Sequence, residues 1–505
     1  MFEFVDQFLA TARAQPERCA VVDATRSFTY GELLARGESI AAALIDRGIS
    51  EDDPVVVCCE RGVSAIAAIV GIALSGGVYV PIDPSEPPAR LQLILSCADP
   101  NAGLVDGAGN RVLEGAIETL LEIDEVDACS LSDSRLGHLA YLLFTSGSTG
   151  TPKGVEVTRA NLNAFLRGSE KWSEAEAQER WACYHSFTFD ISIWEIWGAL
   201  TNGGTLFVIP AMAQLDAELL ISWLETYKIE RLCQTPTAVR QLLAATTNIT
   251  RLDALRALYI CGERLDFATL KPLLPFVKRD TMSIFNLYGP TEATIYATGR
   301  RLTIRDIASE RRSLIGVPLP HVCAEVRRSD GTLAEPGETA ELVLRGDGIA
   351  RGYRRERTLT ALQFRQGKDG ICEYITGDLV RAANEGLEFI GRKSGFVKIR
   401  GYRVEPEEVA SALRRHAAVE DAVVVDLELA GSGVALVAAV TLQPGATVGA
   451  RELRLFVATL LPAYMRPARI FLFDALPRLA SSKIDQKGIR LLLEQCLQTT
   501  TVAAG

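Results

Sequence analysis

Eleven cysteines are spread through this 505-residue chain without one Cys-x-x-Cys spacing, and only Cys58 and Cys59 are adjacent. That distribution implies neither a zinc site nor a disulfide framework, and the cysteines are expected to be small buried apolar residues of a reduced protein. Positive charge is not in excess either. The formal charge of −10 at pH 7 excludes the broadly basic surface of a nonspecific polyanion binder, so no nucleic-acid partner is expected. The start, Met1-Phe-Glu-Phe-Val-Asp-Gln, has acids where a signal peptide has basic residues, which points to a cytoplasmic protein. Gly62 to Ile82 carries no charge and approaches membrane-span length, but Ser75-Gly76-Gly77 interrupts it and Val78-Tyr-Val-Pro-Ile82 favours β structure. A buried helix followed by a short strand is expected there, with no membrane partner. The chain also lacks internal repeats and low-complexity tracts.

Several familiar nucleotide and nucleophile motifs are missing. In the stretch Leu142-Leu-Phe-Thr-Ser-Gly-Ser-Thr-Gly-Thr-Pro-Lys153-Gly154, Pro152-Lys153-Gly154 stands where a Walker A loop requires Gly-Lys-Ser/Thr. No Gly-x-Gly-x-x-Gly follows a strand-like run, and Ser148 lacks the first glycine of a nucleophile elbow. Standard P-loop NTPase, Rossmann dehydrogenase and α/β-hydrolase readings are disfavoured. What the stretch does contain is an apolar run opening into hydroxyls, glycines and one lysine. Glycines let backbone N–H groups turn toward an anion, Thr145, Ser146, Ser148, Thr149 and Thr151 offer hydroxyl donors, and Lys153 adds a positive charge. The segment reads as a phosphate-gripping loop.

Helix-like and β-rich runs alternate over the first 380 or so residues: helix from Ala65 to Leu74, strands at Leu139 to Phe144, Leu206 to Ile209 and Ala257 to Ile260. Such alternation predicts a layered α/β architecture with a largely parallel sheet. A β subdomain is expected around Gly337 to Tyr353, with Glu341 to Arg345 as its clearest strand. After Gly391 the pattern becomes a small α+β unit: β at Phe396 to Ile399, a helix from near Pro406, β at Ala422 to Val425 and Gly433 to Thr441, and a helix at Glu452 to Leu461. From Gly391 onward 15 Lys+Arg stand against 11 Asp+Glu, a basic lobe on an acidic protein that would suit a mobile piece approaching phosphates. The small residues at Lys393-Ser394-Gly395 suit a hinge. The expected division is 1–393 as a large core and 394–505 as a small domain.

Eight segments occur together in order: Ala73 to Asp83, Thr145 to Gly154, Phe189-Asp-Ile-Ser192, Asn286-Leu-Tyr-Gly-Pro-Thr-Glu292, Gly337 to Tyr353, Tyr374-Ile-Thr-Gly-Asp-Leu379, Gly391 to Gly401, and Leu476 to Asp485. Over nearly the whole chain they resemble the core motifs of adenylate-forming enzymes, most closely the adenylation domains of nonribosomal peptide synthetases. The resemblance implies an α/β adenylate-forming core with a mobile α+β C-terminal domain. It also implies a two-step reaction, in which a carboxylate attacks the α-phosphate of ATP and the acyl adenylate then passes to a phosphopantetheine thiol. By the same resemblance Thr145, Ser146, Gly147, Ser148, Thr149, Gly150 and Lys153 cover the leaving phosphates. Tyr288, with Gly289 beside it, stacks on adenine, Asn286 meets the base edge, Thr291 the α-phosphate, and Glu292 binds Mg²⁺, a metal that prefers hard oxygen donors. Asp378 takes the ribose hydroxyls with help from Arg392. Lys483 reaches the substrate carboxylate and α-phosphate, Ser394 is the hinge, and Gly401 lies beside the pantetheine tunnel. Two departures stand out: Ser481-Ser482 precedes Lys483 where the family has Asn-Gly, and Ser394 replaces the usual hinge aspartate.

Asp190 matches the position at which amino-acid-activating members hold the substrate ammonium, a charge-assisted pairing. The family's pocket pattern falls on Asp190, Ile191, Trp194, Cys233, Tyr259, Cys261, Leu287, Ile295 and Tyr296, with Lys483 at the carboxylate. That set holds no second side-chain charge apart from Lys483, so a small or medium uncharged α-amino acid is expected. Cys261-Gly-Glu263 also resembles the D-alanine–carrier protein ligases. Two further readings stay open: an acyl-CoA synthetase, which Asp190 opposes, and a noncatalytic nucleotide-binding protein, motivated by Ser394 and Ser481-Ser482. The chain stops about twenty residues after Lys483, so the carrier protein that accepts the product is expected to act in trans.

Overall fold

The computed structural model describes residues 4–131, 134–135, 137–147, 151–309, 314–367, 369–393, 395–429, 433–477 and 485–502. The chain forms two compact units: Met1–Pro84, Cys97–Phe144 and Gly154–Lys393 in the first, Ser85–Ser96, Thr145–Lys153 and Ser394–Gly505 in the second. Among the described residues no helix is long and apolar enough to cross a membrane.

The first unit is organised by two large sheets. In one, Pro54–Cys58, Val78–Pro81, Ala102–Val105, Leu120–Glu122 and Leu139–Thr145 run parallel, and Gly352–Tyr353 closes an antiparallel edge against Lys153–Thr158. The uncharged stretch near residue 70 is the helix Val63–Ser75, buried almost all round, and Gly76 (φ 81°) ends it in the left-handed conformation that glycine adopts without strain. In the other sheet, Cys19–Val22, Thr205–Val208, Arg180–Cys183, Arg231–Gln234, Ala257–Ile260 and Ser283–Tyr288 form a parallel block. Its side chains alternate between two cores, as strand geometry requires. Trp181, Cys183, Cys233, Tyr259, Phe285 and Leu287 enter one cluster, whereas Ala182, Leu232, Leu258, Ile260 and Ile284 enter the other. Both faces are covered, which explains the near-continuous apolar composition of these short strands.

The expected parallel pattern ends at Ser283–Tyr288. Beyond it Thr298–Arg301, Leu314–Pro318, Gly386–Arg392, Cys372–Ala383, Thr339–Arg345 and Cys323–Arg327 continue the sheet antiparallel. The β subdomain thus begins before Gly337. Cys323–Arg327 was hidden from the sequence because it is an edge strand carrying Glu325 and Arg327, charges that blunt an edge and mask its β signal.

The second unit contains the hairpin strands Val419–Leu429 and Gly433–Leu442, with Arg469–Phe473 added in parallel, and the helices Pro406–Arg414, Ala450–Ala458 and Gln486–Val502. The helix at 406 starts with proline at its first position, places Glu407 and Glu408 in its first turn and Arg414 in its last, the arrangement favoured by the helix dipole. All eleven cysteines are free thiols. The expectation that they are buried holds for Cys58, Cys59, Cys183, Cys233 and Cys261 but fails for Cys129, Cys323 and Cys372, which are exposed on loops and strand edges.

Candidate functional site

In an open parallel sheet, ligands bind beyond the carboxyl ends of the strands, and several of the sequence-selected residues lie at those ends. Asp190 stands at the N-cap position of the helix Ile191–Thr201 with φ −60° and ψ −24°, and its side chain makes no capping hydrogen bond. It is 5% exposed, a carboxylate at the positive end of a helix. Burial, and then the charge of Asp190, raises the pKa of the Tyr141 phenol. One turn along, Trp194 shares the helix face of Asp190. Ile191, Trp194, Cys233, Tyr259, Cys261, Leu287, Ile295 and Tyr296 all fall in one continuous hydrophobic cluster. Trp194 meets Tyr259 edge-on at 4.7 Å between ring centroids and Tyr296 edge-on at 5.5 Å. The Cys261 thiol donates to the Tyr296 hydroxyl at 3.6 Å. Burial holds the Cys233 thiol and the Tyr259 and Tyr296 phenols well above their ordinary pKa values, so they stay protonated and uncharged.

Ile295 and Tyr296 reach this cluster through a strained turn. Thr294 (φ 57°) and Ile295 (φ 72°) are both left-handed, a conformation that β-branched residues rarely adopt and that costs about 1–3 kcal/mol per residue. Thr294 Oγ1 donates to the Gly348 carbonyl at 2.7 Å and the Tyr296 N–H to the Thr294 carbonyl at 3.0 Å, which hold the turn. Gly289 is required by the same turn: a Cβ there would lie 2.3 Å from the Ile295 carbonyl oxygen.

Of the residues assigned to the base, ribose and α-phosphate, Asn286 and Tyr288 lie in the last parallel strand, Thr291 and Glu292 follow it, and Asp378 and Arg392 lie on the antiparallel continuation. Asp378 and Arg392 are cross-strand partners. Arg392 clasps the carboxylate with Nε 2.7 Å from Oδ1 and Nη2 2.9 Å from Oδ2, and the Tyr288 hydroxyl donates to Oδ2. Asp378 is fully buried. Asn286 donates from Nδ2 to the Leu314 carbonyl at 2.6 Å. Thr291 and Glu292 sit in the short 3₁₀ turn Thr291–Ala293. Glu292, 1% exposed, accepts from the Tyr353 hydroxyl at 2.7 Å on Oε1.

In the second unit, Ser146 Oγ donates to the Arg403 carbonyl at 2.7 Å and the Gly147 N–H to Glu408 Oε2 at 3.2 Å. Glu408 is in turn ion-paired with the buried Arg90 at 2.6 Å. Gly147 packs closely: an added Cβ would meet the Thr151 carbonyl oxygen at 2.0 Å and Lys153 Cε at 3.2 Å. Lys153, buried, opens the strand Lys153–Thr158. Arg400 (φ 50°) and Gly401 (φ 85°) form the two-residue turn between Val397–Ile399 and Tyr402–Val404, the geometry of a type I′ hairpin. Gly401 therefore has a backbone reason to be glycine. Ser148, Thr149, Gly150, Ser394, Ser481, Ser482 and Lys483 lie outside the described residues.

Sequence reasoning missed Arg231, Glu179 and His321, which support the pocket residues. Arg231 forks onto Glu179, with Nε 2.7 Å from Oε2 and Nη2 2.8 Å from Oε1, and donates to the Tyr259 hydroxyl at 2.6 Å. His321 Nε2 lies 2.8 Å from the Tyr296 carbonyl and its ring meets Phe165 edge-on at 5.3 Å. Burial lowers the His321 pKa to about 4, so the ring is neutral near pH 7 and Nε2 carries the hydrogen that the carbonyl accepts.

The AMP-binding enzyme profile matches residues 8–354, and that of the AMP-binding enzyme C-terminal domain matches 408–483. This chain belongs to the AMP-binding enzymes, and it is an adenylation domain of the nonribosomal peptide synthetase type, an AMP-forming ligase. Syringomycin synthase SyrB1 of Pseudomonas syringae pv. syringae is 32% identical over 493 residues, covering 95% of this chain and 80% of SyrB1. Malpinin synthetase of Mortierella alpina is 36% identical over 507 residues, covering 95% of this chain, which spans only 6% of that synthetase. Holo-PA1221, a nonribosomal peptide synthetase protein with adenylation and PCP domains bound to a vinylsulfonamide inhibitor, has a TM-score of 0.85 at 25% identity. That match covers 96% of this chain and 84% of PA1221.

Proposed function

We propose that this chain activates a small or medium uncharged α-amino acid as its aminoacyl adenylate, releasing pyrophosphate from ATP, and passes it to the phosphopantetheine thiol of a carrier protein acting in trans. The observation that carries this reading is Asp190: a buried carboxylate that opens the helix Ile191–Thr201, whose Ile191 and Trp194 belong to the same cluster as Cys233, Tyr259, Cys261, Leu287, Ile295 and Tyr296. A substrate ammonium would form a charge-assisted pair with this carboxylate. The protonated phenols and thiols leave the rest of the pocket neutral, which disfavours acidic and basic side chains.

In this reading Asp378, oriented by Arg392, receives the ribose hydroxyls, and Tyr288 presents its ring to adenine with Asn286 near the base edge. The glycine loop with Lys153 grips the phosphates, and Thr291 contacts the α-phosphate. The buried carboxylate of Glu292 has the hard oxygen donors that Mg²⁺ prefers. When bound there, the ion would neutralise charge building on the phosphates. Lys483 approaches the reacting carboxylate from the small domain, 394–505, with Ser394 as the hinge against the core, 1–393, and Gly401 facing the thiol in the second step.

Amino-acid-dependent ATP–pyrophosphate exchange with Mg²⁺, across proteinogenic and D-amino acids, tests the reading. One strong uncharged substrate is the expected result, and a D-alanine response would shift the assignment to the D-alanine–carrier protein ligases. ATP binding without exchange for any amino acid would overturn it.

A further inference from the structure

Trp172 stands in the polar stretch Gly168-Ser-Glu-Lys-Trp172-Ser-Glu, outside every motif that marks this family in the sequence. Its ring nevertheless meets the aromatic residues of the pocket cluster. It lies 5.4 Å from Trp194, 6.2 Å from Tyr259 and 6.1 Å from Tyr296 between ring centroids, and 6.2 Å from Phe285, which stacks on Tyr259 at 5.2 Å. One side chain thus joins three of the residues that the substrate reading places around the amino-acid side chain. Its indole Nε1–H is buried and finds no acceptor among the described residues, whereas an indole inside a core ordinarily finds a partner for its N–H.

The segment carrying it is clamped. Arg231 donates from Nη1 to the Ser173 carbonyl at 2.9 Å and from Nη2 to the Glu174 carbonyl, the Tyr259 hydroxyl donates to the same Ser173 carbonyl at 2.5 Å, and Glu179 fixes the guanidinium from the other side. A single buried cation therefore ties the backbone next to Trp172 to the strand that bears Tyr259. Arginine's rigid fork suits that task better than the point charge of lysine.

We propose that Trp172 is the floor of the amino-acid pocket and sets its size limit, with Arg231 and Glu179 as positioning residues that hold it there. This rests on the proposed function above. The floor admits a small side chain and offers it one buried N–H, so the favoured substrate class is a small uncharged amino acid, with preference for one whose side chain carries a hydrogen-bond acceptor.

The test is the pyrophosphate-exchange profile of the full chain and of its Trp172→Phe and Trp172→Ala variants across glycine, alanine, serine, valine, leucine and phenylalanine, with Tm recorded for each. Trp172→Ala is expected to raise the ratio of large to small substrates at least about tenfold, the scale on which pocket volume discriminates. Trp172→Phe should shift the ratio less and should lose preferentially on serine. A merely structural role would lower all six rates together and leave their order unchanged. Exchange by the parent with an order that neither variant alters overturns the floor while leaving the amino-acid reading intact. No exchange by the parent overturns the reading, and the floor with it.

Discussion

The residues assigned to the substrate and those assigned to the nucleotide are held by different means. Around the substrate set, Trp194 meets Tyr259 and Tyr296 edge-on, Cys261 donates to Tyr296, and the Arg231–Glu179 pair holds Tyr259 from outside the set, with Asp190 as the one carboxylate among the residues assigned to the substrate. In the nucleotide set, Asp378 is clasped directly by Arg392 and met by Tyr288. Under the proposed function the nucleotide is common to every member of the family, so a fixed charge pair can face it directly. A side-chain pocket has to differ between substrates, and packing of uncharged groups can be altered without leaving a buried charge behind.

The strongest way to break this contrast is Asp378→Ala. It leaves Arg392 half-buried without its partner, and about 3–5 kcal/mol of stability is expected to go with nucleotide affinity. Urea denaturation and ATP titration should both report the loss, whereas amino-acid preference should stay unchanged in whatever exchange remains.

The pocket side should show its own weakness in acid, through His321. Its pKa is near 6.5 in the unfolded chain and about 4 in the folded one, so between those values the unfolded state binds the extra proton. Stability supplied by the neutral ring is complete above pH 6.5 and is lost as pH falls through 6.5 toward 4, about 3 kcal/mol in full. Melting curves at pH 7.5, 5.5 and 4.5 should show that decline flattened in His321→Gln, and parallel curves would refute the assignment. Asp190→Ala sharpens the comparison with the smallest expected effect, about a hundredfold drop in amino-acid-dependent exchange. ATP binding should be intact; an equal fall in ATP affinity would move Asp190 to the nucleotide side.

Elements with one dominant period were legible in advance. Val63–Ser75 announced itself by an uncharged run ended by Gly76, and Ala257–Ile260 by a short β-favouring run. The candidate site motifs were picked out by their resemblance to the family; the structure shows Asp190 opening a helix and the run Asn286 to Glu292 passing from the end of a strand into a 3₁₀ turn. Trp172, Arg231 and His321 were not picked out. Arg231 lies 52 residues from Glu179 and 28 from Tyr259, and a hydrogen bond made only after strands align leaves no trace in neighbouring residues. Cys129, Cys323 and Cys372 were misjudged as buried for a related reason, since a cysteine's preference for burial says nothing about which strand edge or loop it lands on.

The left-handed pair Thr294-Ile295 also bears on how this domain would respond to engineering. A laboratory search for heat resistance rewards any change that relaxes backbone strain, and Ile295→Asn or Ile295→Gly is such a change, because both residues accept positive φ. Each would also delete a branched side chain from the cluster proposed to line the substrate pocket. Variants recovered for survival at high temperature are therefore expected to drift toward permissive substrate choice, so that robustness and fidelity trade against each other at a single peptide unit.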